Sequence, residues 1–79
     1  MGEIWHTDQG RRLSADVADL QLVVEVASEV GGLARFRVFL RVTKFENHLI
    51  GSGVKADIRE AMAAAERMAH IHRVHRKLH

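Results

Sequence analysis

Alternation with a period of two is clearest in ARFRVFLRV, residues 34–42. Phe36, Val38, Leu40 and Val42 fall on one side of an extended chain there, and Arg35, Arg37, Phe39 and Arg41 on the other. That pattern predicts a half-buried β-strand. DLQLVVEV repeats it, with Leu20, Leu22, Val24 and Val26 on one face and Asp19, Gln21, Val23 and Glu25 on the opposite one. The intervening ASEVGGL supplies a Gly-Gly turn signal, so the two strands are expected to form an antiparallel hairpin. HLIGSGV fits a third, shorter strand after a turn around Glu46 and Asn47, with Gly51 and Gly53 weakening it or admitting a close neighbour.

From Asp57 onward the period becomes helical. Asp57 is a good N-cap, Glu60 stands in the capping-box position, and Ile58, Ala61, Met62, Ala65, Met68 and Ala69 make one stripe suited to cover the sheet. With no Gly or Pro to stop it, the helix is expected to span residues 57–79. Its second half carries Ile71, Val74 and Leu78 roughly opposite the first stripe. One sheet cannot cover both sides. Either the N-terminal segment, with Ile4, Trp5 and Leu13, folds over the second stripe, or another subunit does.

Residues 1–18 are the least patterned. DQG can close a hairpin between EIWH and RRLSA, or Ser14 can cap a short helical turn, and the sequence leaves both open. The expectation is therefore a single α+β domain over residues 1–79: a three-stranded antiparallel meander within 19–55, one long C-terminal helix packed across it, and an N-terminal hairpin or short helix.

Composition narrows the function. A chain of 79 residues buries only about 60% of its unfolded surface and has little stability to spare, so a partner would help it. Without cysteine there is no disulfide, thiolate metal site or thiol nucleophile, and an intracellular, cytoplasmic setting is the expectation. MGEIWHTDQG lacks the apolar run of a signal peptide, and no stretch approaches the ~20 apolar residues of a membrane span.

Net charge is only +2, but it is unevenly placed. No acid follows Glu66, while Arg67, Arg73, Arg76 and Lys77 lie among His70, His72, His75 and His79. Part of that bias suits a helix C-terminus by itself. The rest points to an anionic partner.

Three candidate chemistries follow. His72, His75 and His79 share a helix face and have a spacing that can bind zinc, copper or nickel, but no carboxylate completes the set and the arginines repel a cation. The same histidines could sense pH, since imidazoles as a class titrate near neutrality, though no second conformation is identified. Arg35, Arg37 and Arg41, interrupted by Phe39, put basic and aromatic groups on the open sheet face as RNA-binding sheets do, yet Asp19 and Glu25 make cross-strand ion pairs the simpler reading. Phe39 with Val23 then forms a surface cluster or part of an interface. Gly51-Ser52-Gly53 alone is no nucleotide motif, whereas Lys55 and Arg59 at the helix start suit a phosphate contact. No catalytic constellation is present in the sequence, so neither an enzyme, a cofactor nor a small-molecule substrate is expected.

With this order of elements, RFRVFLRVTKFENHLIGSGVKADIREAMAAAERM resembles the second half of a double-stranded-RNA-binding domain. Gly51 and Gly53 match that family's turn, Ala61 and Ala63 to Ala65 its small-residue helix, and, with a one-residue gap, Lys55 and Arg59 two of its basic positions. Ala56 stands where the family has a lysine, and Asp57 adds an acid. DIREAMAAAERMAHIHRVHRK is similar, without a gap, to the last helix of ribosome hibernation-promoting factors, at Asp57, Ile58, Ala61, Met62 and the basic end. The likeness covers little more than half the chain. Both families imply structured RNA or the ribosome as partner, bound without catalysis.

Two functions are carried forward. The first is RNA binding, with Lys55, Arg59, Arg73, Arg76 and Lys77 on phosphates. The second is a homo-oligomeric or protein-interaction module using Ile71, Val74, Leu78 and Phe39.

Overall fold

In a computed structural model, the chain is described over residues 5–9, 12–26 and 32–77. It is α+β: five strands, β1 (His6–Gln9), β2 (Arg12–Val17), β3 (Leu20–Val26), β4 (Ala34–Arg41) and β5 (Asn47–Lys55), followed by α1 (Ile58–Lys77). The strands form one antiparallel sheet in sequence order. The expected three-strand meander is present as β3, β4 and β5, but the sheet is larger than residues 19–55, because residues 6–17 add a hairpin. Leu78 and His79 lie outside the described residues.

The added hairpin resolves the N-terminal ambiguity in favour of strands. Ser14 does not cap a helical turn; it sits in β2, buried, opposite His6 and Val23, and its hydroxyl shares a 3.2 Å hydrogen bond with His6 Nε2. β2 turns into β3 through Ala18 and Asp19, with Val17 paired to Leu20. Ala18 has φ 55°, a left-handed conformation that costs an L-residue about 1 kcal/mol. Glycine usually supplies it, which is why the sequence carried no signal for this turn. Between β3 and β4, residues 27–31 are outside the description, while Gly32 has φ 68° and Val26 pairs with Ala34.

One face of the sheet carries the core. Ala15, Val17, Leu20, Leu22, Val24, Ala34, Phe36 and Val38 pack beneath Ala61, Ala65 and Ala69 of α1, with Trp5, Leu40, Ile50, Met62, Ala64 and Met68 at the margin. Alanines on the contact face bring the helix backbone near the strands, so the apolar volume comes mainly from the sheet. Val42, expected to continue the buried row, lies beyond the end of β4 and is exposed.

The third strand, expected to be short, is the longest at nine residues. Its glycines explain why. A Cβ on Gly53 would stand 2.7 Å from the Phe36 ring, and one on Gly51 would collide with the end of Met68. The side chains of Phe36 and Met68 occupy these gaps. β5 also holds one extra residue: Val38 pairs with Gly51 but Phe39 with Leu49, leaving Ile50 as a bulge packed on the core.

α1 begins as its sequence predicts. Asp57 Oδ1 accepts the Glu60 amide at 2.8 Å, and the Asp57 carbonyl accepts the Ala61 amide. The helix then runs back across β4, β3 and β5. Among the described residues no helix is long and apolar enough to cross a membrane.

Candidate nucleic-acid interface

Basic residues occupy two surfaces, the sheet face turned away from α1 and the exposed side of α1 itself. On the sheet, register places Arg35 opposite Glu25 and Val54, Arg37 opposite Val23 and Ser52, and Phe39 opposite Gln21 and Leu49. Arg37 makes an ion pair with Glu25 diagonally across the strands, and Arg41 Nη2 donates to Asp16 Oδ1 at 3.1 Å. The acid that meets Arg41, Asp16, comes from β2, outside the pair Asp19 and Glu25 that the sequence singled out. Cross-strand ion pairs thus account for two of the three arginines in the row.

The aromatic part of that face is also reduced. Val23 is 1% exposed and forms no surface cluster with Phe39, which is itself half-buried. A sheet that stacks bases needs open rings. Here the exposed apolar groups nearest Phe39 are aliphatic, above all Leu49.

The helix differs. Arg59, Arg67, His70 and Arg73 are exposed. Its two acids, Glu60 and Glu66, are separately placed: Glu60 lies near Lys55 and Arg67 along the helix start, and Glu66 Oε1 accepts a 2.7 Å hydrogen bond from Trp5 Nε1. Trp5 packs on the core margin and meets the Glu66 side of the helix, and among the described residues the second stripe is left open. Ile71 and Val74 are 59% and 43% exposed. Ile4 and Leu78 are outside the described residues.

Lys55 and Arg59 flank the helix start on different sides. Lys55 lines a groove with Phe36, Ala64, Arg67, Met68 and Ile71, whereas Arg59 borders a hollow with Val26, Gly32, Asp57 and Ile58. The anion at the helix N-terminus is the Asp57 carboxylate, so a phosphate between Lys55 and Arg59 would compete with it. The residue brought beside Lys55 is instead Arg67, which sequence spacing alone did not single out because their proximity depends on the helix folding back along β5. Arg59 and Arg73 share a helix side about 21 Å apart. Arg76 and Lys77 continue the helix.

Gly51-Ser52-Gly53 lies within β5 and is not a loop preceding the helix. Of the three histidines considered for metal, His72 is half-buried with its Nε2 buried and without a hydrogen-bond partner among the described residues, and His75 is exposed. His79 is outside the description. Among the described residues no group of three or more His, Cys, Asp or Glu side chains is arranged to hold a metal. Comparison of the chain with family models, with curated proteins and with solved structures gave no match.

Proposed function

We propose that the protein is a small, non-enzymatic binder of structured RNA, free or within a ribosome, that presses the exposed side of α1 against phosphates. The carrying observation is the contrast in charge partners along that helix. Arg59, Arg67 and Arg73 are exposed, while Glu66, the acid in their midst, is engaged by Trp5. Lys55 adds a cation beside Arg67, and Arg76 and Lys77 extend the charge toward the C-terminus. Contacts of this type position a protein on the backbone and carry little sequence information. A cytoplasmic setting accords with that role.

NMR titration of isotope-labelled protein with a short RNA duplex tests the reading. Saturable shifts centred on Lys55, Arg59, Arg67 and Arg73 that persist at physiological salt are expected. Shifts confined to the sheet face, or lost entirely with salt, would overturn it.

A second reading, self-association, is favoured by the exposure of Ile71 and Val74 on the helix. Exposed apolar residues spaced along one helix side are a common feature of interfaces.

A further inference from the structure

Among the described residues, the edge strand β5 has a sheet neighbour on one side only, β4. It is nine residues long, and such an edge offers a row of backbone amides and carbonyls to another strand. Which strand fits is decided by how its side chains are distributed between the two faces.

Register with β4 gives that distribution. Asn47, Leu49, Ser52 and Val54 lie opposite Arg41, Phe39, Arg37 and Arg35 and so share the open face. His48, Gly51, Gly53 and Lys55 lie opposite Leu40, Val38, Phe36 and Ala34 and so share the helix face, which Ile50 joins by packing on the core. Because of the bulge, the order of faces reads the same in both directions from the Ile50–Gly51 peptide bond. An ordinary alternating strand is symmetric about a residue; this one is symmetric about a bond.

We infer that two copies of the chain join through antiparallel pairing of β5 with β5, about a two-fold axis that passes between the two strands level with their Ile50–Gly51 bonds, to make one continuous ten-stranded sheet. This register sets Leu49 opposite Ser52, His48 opposite Gly53 and Asn47 opposite Val54, each pair on one face. A slip of one residue in either direction would oppose open-face to helix-face residues. The next pair outward is Glu46 with Lys55, so symmetry places two pairs of opposite charges at the ends of the seam, both residues being exposed in the single chain. One step further, Phe45, 94% exposed, comes alongside Ala56 of the second copy.

Above the seam the helices run in opposite directions. With α1 lying over β3 and β4, the two helices stand roughly 19 Å apart, four strand spacings. Met68 rests over Gly51, next to the axis. The groove of Phe36, Ala64, Arg67, Met68 and Ile71 in one copy therefore faces its equivalent in the other, which gives Ile71 an apolar neighbourhood that it lacks in the single chain.

This inference deepens the self-association reading by naming its partner and seam, and it requires no RNA. Sedimentation velocity of the full chain without nucleic acid, across micromolar concentrations, is the test. A concentration-dependent dimer is expected. Lys55→Glu should weaken it by about tenfold by setting like charges together twice, and adding Glu46→Lys should restore it. Because the chain has no cysteine, Leu49→Cys with Ser52→Cys should cross-link two copies under oxidation. Three residues along one strand span about 10 Å, too far for a disulfide within a copy. A strict monomer would overturn both self-association and this seam. A dimer unaffected by the charge changes and uncross-linked by the cysteine pair, but broken by Ile71→Glu, would keep self-association and overturn the β5 pairing.

Discussion

The arginines of β4 and those of α1 are chemically identical and similarly accessible, but they are in different company. Arg37 meets Glu25 diagonally on the adjacent strand, and Arg41 reaches Asp16 two strands away in β2, so the sheet itself brings opposite charges within reach. Arg59, Arg67 and Arg73 stand on a helix whose nearest mid-helix acid is engaged by an indole N–H. Charge already matched across strands contributes to the sheet. Helix charge that is in no ion pair among the described residues is available to an outside anion even with Glu60 near Arg67, and the number of arginines alone would not separate the two surfaces.

Substitutions can sharpen that contrast. The largest stability effect is expected from Trp5→Phe, which keeps most of the apolar contact but removes the hydrogen bond to Glu66, at a cost of about 1.5 kcal/mol in denaturant unfolding. It should also weaken RNA binding, because the released carboxylate rejoins the basic side; stronger binding would break the proposed division of roles. Arg37→Ala should follow at about 1 kcal/mol, since Arg37 lies opposite the buried Val23 and its stem shields apolar surface as well as meeting Glu25. Arg41→Ala, roughly half exposed with its partner, should cost only about 0.5 kcal/mol. Both sheet variants should leave RNA affinity within about twofold, because these arginines already have acids beside them. A tenfold loss from either would erase the distinction between the surfaces.

How far these surfaces were legible in the sequence varied by element. β3 and β4 announce themselves by alternation, and Asp57 announces the helix by its capping chemistry, because those signals are local. β2 did not, for two physical reasons. Its turn uses Ala18 in a conformation glycine normally supplies, and its strand buries a serine, Ser14, on the face expected to be open. β1 is four polar residues whose strand character comes from pairing with β2. With the hairpin only one of two alternatives, the sequence did not identify Asp16 as the partner of Arg41 or Trp5 as the partner of Glu66. The basic helix end was readable from charge alone, but the approach of Arg67 to Lys55 was not, since it depends on α1 folding back along β5.

The most direct test of the central claim is the salt dependence of duplex-RNA affinity for the wild-type chain and for Arg59→Gln/Arg67→Gln/Arg73→Gln. Each lost phosphate contact should remove about one unit from the slope of log affinity against log salt, so the triple variant should be flatter by about two to three units and weaker at every salt concentration. An unchanged slope and affinity would contradict the account and return these arginines to the role of solvated helix surface.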